Sequence, residues 1–111
     1  DWKFIKEVNA DIEKNLQKTE YNINALSASL CMSRTSFYNK IKALTGQAPS
    51  EYVRLIRLKH AARMLKDGVY NITEVAERTG FNDPKYFREV FKKYYKVAPS
   101  QYASGESSYT V

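Results

Sequence analysis

The chain is poor in the residues that staple, break or span. A single cysteine, Cys31, in 111 residues leaves no disulfide to form within the chain. A small disulfide-stapled scaffold is therefore excluded, and a reducing compartment, the cytoplasm, is the expected setting. Four glycines and three prolines are too few for the many turns of an all-β sandwich. No apolar run approaches the roughly 18 residues needed to cross a bilayer, so no membrane contact is expected of this stretch. His60 is the only histidine, and without cysteine or second-histidine neighbours it is not a metal site. No Gly-rich phosphate loop is present, nor any Ser/His/Asp, Cys/His or paired-carboxylate arrangement. Neither an enzyme, nor a cofactor, nor a small-molecule ligand is expected. No signal-peptide pattern opens the chain. The start at Asp1 rather than Met reads as an excised piece of a longer protein or a processed chain, and a C-terminal output domain is one expectation for it.

What is present is a repeat. Residues 23–52, INALSASLCMSRTSFYNKIKALTGQAPSEY, and residues 72–102, ITEVAERTGFNDPKYFREVFKKYYKVAPSQY, share one grammar. Each runs isoleucine, short apolar helix, tight turn, capping residue, basic and aromatic helix, then Pro-Ser-x-Tyr. Ile23 and Leu26 match Ile72 and Val75 at an offset of 49, whereas Phe37, Pro49, Ser50 and Tyr52 match Phe87, Pro99, Ser100 and Tyr102 at 50. One extra residue therefore enters near Asp83-Pro84. Self-similarity of this kind marks repeated supersecondary units.

Helical periodicity accounts for the remainder. Ile5, Val8, Ile12 and Leu16 recur at three and four residues and predict an amphipathic helix over 2–17, with Trp2 and Phe4 packing at its start. A short helix over 24–30 turns Ala25, Leu26 and Leu30 inward. Ser33 caps the next, 34–45, which buries Phe37, Ile41 and Leu44 and stops at Gly46. Pro49 opens a long helix to Lys66, apolar around more than one face and so suited to joining two units. Arg54, Arg57 and Arg63 are left to its wet edges, either touching phosphates or bracing the helix through their stems. Thr73 caps a further short helix. Asp83 and Pro84 start the helix to residue 95, with Phe87, Val90, Phe91 and Tyr94 inward. The expected fold is all-α: two helix-turn-helix units, about 23–46 and 72–95, joined by a linker helix over 49–66 within one domain, 1–103, followed by a disordered tail, 104–111.

Charge points to the function. The net charge is +6, and residues 21–66 carry eight basic groups against one acidic, Glu51. In the second unit Lys85, Arg88, Lys92, Lys93 and Lys96 gather again. Such stripes attract polyanions, although a basic stripe can also be a solvated helix face. A helix-turn-helix places its second helix in the major groove of double-stranded DNA. Arg34, Thr35, Tyr38 and Asn39 have the spacing to reach base edges together, as do Lys85, Arg88 and Glu89. Lys42 and Lys92, further along, fall nearer phosphates. Arg suits guanine and Asn suits adenine, each bidentately. A linker of about 25 Å, with packing at its ends, would set the two readers about one DNA turn, roughly 34 Å, apart. The competing class is a helical protein-interaction module with incidental basic faces, which would more naturally expose apolar anchors. RNA is a poorer fit, its deep groove being too narrow for these helices.

GFNDPKYFREVFKKYYKVAPSQY, with Gly80, Phe81, Phe87, Phe91, Pro99 and Tyr102 in place, together with RLIRLKHAARML, resembles the DNA-binding domain of AraC/XylS-type transcription regulators over nearly all of residues 1–103. The resemblance implies seven helices, two helix-turn-helix motifs, and base contacts from the exposed positions of helices 34–45 and 84–95. DPKYF and IKALTGQAPSEYVRLIRLKHAA are similar to output domains of hybrid two-component sensor-regulators. That implies a receiver or sensor region elsewhere in a longer chain, which could be membrane-tethered, with any dimerisation running through those regions. Two positions depart from the pattern. Cys31 stands where the second turn has Gly80; a left-handed residue there would cost about 1–2 kcal/mol, so a slightly different first turn is expected, with Cys31 a small buried residue rather than a redox sensor. Glu89 lies on the second reading face, where it could accept from a cytosine amino group or pair with Lys85 or Lys93.

Overall fold

The computed structural model describes residues 2–105. Among them are seven helices and no strand: α1 (Trp2–Lys14), α2 (Ile23–Ser29), α3 (Arg34–Thr45), α4 (Pro49–Asp67), α5 (Ile72–Arg78), α6 (Pro84–Tyr95) and α7 (Pro99–Ala103). None of them is long and apolar enough to cross a membrane. The chain divides into two compact units, Asp1–Ile56 and Arg57–Val111, and α4 contributes residues to each.

In the first unit α1 packs on α2, and α2 on α3. Its buried set is Phe4, Val8, Ile12, Leu16, Leu26, Phe37, Ile41, Tyr52 and Ile56, with Phe4 meeting Phe37 edge-on at 6.1 Å. Burying each large apolar side chain contributes roughly 1.5–3 kcal/mol. The N-terminal helix stops sooner than its periodicity suggests, because Asn15 turns back and its side-chain amide donates to the Asp11 carbonyl. Trp2 does not pack at the start; it is 74% exposed, while Phe4 is buried. Ala25 and Leu44 likewise lie outside the core, and Ser27 is buried in α2.

The Tyr52 phenol ties α4 to α1, donating to Asn9 Oδ1 at 2.7 Å. Burial pushes its pKa above the ordinary 10.0, and the Asn9 hydrogen bond opposes this more weakly. A folded-state pKa raised above the unfolded one gives stability that is complete below about pH 10 and lost as pH climbs through the raised value. Tyr52→Phe is therefore expected to lose about 0.5–1.5 kcal/mol at neutral pH and to flatten the alkaline limb of a stability-against-pH curve.

In the second unit α5 packs on α6, and α6 on α7. Leu58, Ala61, Ala62 and Leu65 of α4 join Val75, Ala76, Phe81, Phe87 and Phe91 in one core, edged by Met64, Tyr70, Ile72, Val90, Tyr95 and Tyr102. The last inward aromatic of α6 is Tyr95, stacked on Phe91 at 4.6 Å; Tyr94 is 47% exposed. Asn71, not Thr73, caps α5, in a capping box with Glu74. Arg57 leaves the wet edge assigned to it. It is buried, and its guanidinium donates to the Thr79 carbonyl at 2.8 Å. Ser104 and Gly105 form a hydrogen-bonded turn continuing α7. The remainder of the expected tail, 106–111, lies outside the described residues.

Candidate nucleic-acid interface

Each unit aims its second helix through the same turn. At the end of α2, Cys31 N–H bonds the Ala28 carbonyl and Met32 N–H bonds that of Ser27, both at 3.0 Å. At the end of α5, Gly80 N–H bonds Glu77 and Phe81 N–H bonds Ala76, at 3.1 and 2.9 Å. This paired closure requires a left-handed residue at its centre. Gly80 supplies it at φ 86°, and Cys31 adopts it at φ 56° despite its side chain. The first turn thus keeps the shape of the second, and Cys31 is exposed rather than buried.

The second helix then starts on a side-chain cap, Ser33 accepting from Ser36 N–H and Asp83 from Lys85 N–H. It ends on a second left-handed residue, Gly46 at φ 76° or Lys96 at φ 69°. Each unit therefore has glycine at one left-handed position and a side chain at the other. Cys31→Gly is expected to raise unfolding free energy by about 1 kcal/mol, while Cys31→Ala, which keeps the strained Cβ, is not; denaturant midpoints of the two variants check this.

The repeat register extends through these helices. At the offset of 50, Thr35 corresponds to Lys85, Tyr38 to Arg88, Asn39 to Glu89 and Lys42 to Lys92. Arg34 corresponds to Pro84, so its guanidinium has no counterpart. The fully buried Phe37 and Phe87, with Ile41 and Phe91 one turn later, pin another side of each helix inward, and Arg34, in line with Ile41, stands clear of the core at the start of α3. All nine expected contact residues, Arg34, Thr35, Tyr38, Asn39, Lys42, Lys85, Arg88, Glu89 and Lys92, are exposed. At about 100° per residue they share an arc of roughly 140° on α3 and 100° on α6, so each helix presents one polar face. Tyr86, 42% exposed beside Lys85, and the exposed Lys93 and Lys96 adjoin the second face. Only the register would have drawn attention to Tyr86, because its partner Ser36 carries no charge or ring.

Arg57 holds the second turn from behind. Thr79, whose carbonyl it binds, immediately precedes Gly80, and the Thr79 hydroxyl is itself committed to the Val75 carbonyl at 2.7 Å. Arg57 sits four residues before buried Ala61, a stripe position visible in the sequence and masked by its charge.

Two helix pairs closed by the same tight turn, each showing a polar outer face on its second helix, define a double helix-turn-helix protein. A family model described as a helix-turn-helix domain matches residues 26–105, and the chain belongs to this AraC/XylS-type helix-turn-helix family. It is similar to histidine kinase P4 of Formosa agariphila, 38% identical over 102 residues, which cover 92% of this chain and 7% of the kinase. Among solved structures it resembles the C-terminal domain of the two-component response regulator yesN from Fusobacterium nucleatum subsp. nucleatum, with TM-score 0.80, 28% identity and coverage of 91% of this chain and 98% of that one. It also resembles the DNA-binding domain of the global transcriptional factor AdpA, solved in complex with a target DNA, with TM-score 0.81, 31% identity and coverage of 90% and 89%. The chain spans 31% and 33% of the lengths of two curated helix-turn-helix regulators it also matches.

Proposed function

We propose that this domain binds double-stranded DNA sequence-specifically as the output domain of a bacterial-type transcription regulator, with α3 and α6 in successive major grooves. One observation carries the reading: register-equivalent helices of both units expose polar faces that differ in chemistry. Arg34 can take guanine and Asn39 adenine; Thr35 and Tyr38 offer hydroxyls and carbon; Lys85 and Arg88 donate, and Glu89 accepts from cytosine. Lys42 and Lys92, one turn further on, fit phosphates. The 19 residues of α4, at about 1.5 Å each, give a linker of roughly 28 Å, to which the reach of the packed ends must add to meet a half-site spacing of about 34 Å. The DNA complex of the similar AdpA domain supports this reading.

Similarity to a histidine kinase and to a response regulator's C-terminal domain supports an origin in a two-component protein. A receiver or sensor region would then lie elsewhere in the longer chain, dimerisation would use those regions, and the DNA-binding part would work in the cytoplasm.

The test is selection of bound duplexes from a randomised pool, repeated with Arg34→Ala and Arg88→Ala. Each variant is expected to lose about 1–3 kcal/mol on the selected site and to relax preference at one base pair. A loss equal on all sequences would make that residue a phosphate contact, and absence of any enriched sequence would overturn the proposal.

A further inference from the structure

The first unit carries an open hollow lined by Ile23, Arg34, Thr35 and Tyr38. Ile23 opens α2, and the other three belong to the first turns of α3. Three of the four lining side chains bring carbon: a branched alkyl group from Ile23, a methyl from Thr35 and the phenol ring of Tyr38. Arg34 supplies the one cation. An anion would meet the Arg34 guanidinium and the two hydroxyls, but it would leave the branched alkyl group, the methyl and the ring around them unmatched. A large apolar ligand would call for a closed cavity, and this hollow is open on the polar face of α3. In the major groove the apolar group on a base edge is the C5 methyl of thymine.

Resting on the DNA-binding reading above, we propose that this hollow is a thymine-methyl site, which makes the first unit prefer thymine beside the base taken by Arg34. The corresponding positions of the second unit are Ile72, Pro84, Lys85 and Arg88. There an ammonium and a guanidinium replace the threonine methyl and the tyrosine ring, so the second unit has no such site. The preference belongs to one half of the target, and it orients the domain on DNA.

The experiment replaces each thymine of a pool-selected duplex, one at a time, by deoxyuridine, which removes the methyl and keeps the O4 acceptor. One thymine in the block assigned to α3 by the Arg34→Ala variant is expected to lose roughly three- to sixfold in affinity, as expected for one buried methyl group. In Tyr38→Ser and in Thr35→Ser that thymine-to-uracil ratio is expected to shrink towards one, whatever the overall affinity of each variant; both positions are exposed. A block without thymine, a ratio within about 1.5-fold at every thymine, or a full ratio retained in both variants would overturn the methyl site while leaving sequence-specific binding intact. Failure to select any sequence would overturn the underlying reading and the methyl site together.

Discussion

Replacing Phe91 by alanine is expected to remove about 3–5 kcal/mol of stability, the cost of deleting a large buried aromatic and leaving a cavity. Phe91 is fully buried. Its ring lies 5.7 Å from Phe87, 4.6 Å from Tyr95 and 5.4 Å from Tyr102, so one residue joins the inner face of α6 to α7. Ring pairs of this geometry add about 0.5–1.5 kcal/mol beyond area burial. Three aromatic neighbours held on helices cannot collapse freely into the vacated space, which places the cost at the upper end. The consequence reaches the proposed function, because Phe91 anchors the helix that carries Lys85, Arg88 and Lys92. Urea unfolding checks the prediction, with Val69→Ala, at a position 73% exposed, as the comparison expected to change stability by less than about 0.5 kcal/mol. A loss below about 1 kcal/mol for Phe91→Ala would contradict the core described for the second unit.

The second large effect is on binding. Lys42, Lys92, Lys93 and Lys96 are exposed and lie outside the positions given to base edges. If about four phosphates are neutralised, affinity falls roughly 150-fold between about 50 and 200 mM salt, with a log–log slope of about −3.6. Lys42→Ala and Lys92→Ala are each expected to make that slope shallower by about one and to weaken binding alike on all sequences. Arg34→Ala should instead act mainly on sequence preference. Equilibrium titrations at four salt concentrations separate the two kinds of residue. A slope shallower than −2 would remove the electrostatic basis of the account.

How far the sequence could be read depended on whether local or long-range physics decided each residue. Caps and stops were legible because one side chain or one dihedral determines them: Ser33, Asp83, Pro84 and Gly46 act where their chemistry says. The two polar faces were legible because Phe37/Ile41 and Phe87/Phe91 mark the buried side at helical spacing. Asn71 and Thr73 compete as caps; the Glu74 side chain, reaching back to the Asn71 N–H at 3.0 Å, decides for Asn71. The sequence reading puts Tyr94 inward at the end of α6, whereas the four-residue ladder Phe87–Phe91–Tyr95 makes Tyr95 the ring that stacks. Arg57 could not be read from α4 alone. Its charge argues for solvent, and the Thr79 carbonyl, 22 residues away, helps make its burial tolerable. Cys31 was misplaced for the reverse reason. Burial statistics favour a hidden cysteine, but the left-handed turn that joins α2 to α3 leaves it exposed.

One chain is proposed to read two successive major grooves, α3 in one and α6 in the next. Guanine-methylation interference with this 111-residue fragment on its selected duplex tests it most directly, because methylation at N7 blocks major-groove access. Two clusters of interference are expected on one face of the duplex, centred about 10 base pairs apart, one lost in Arg34→Ala and the other in Arg88→Ala. A single cluster, or two clusters that both disappear with either substitution, would contradict that proposal.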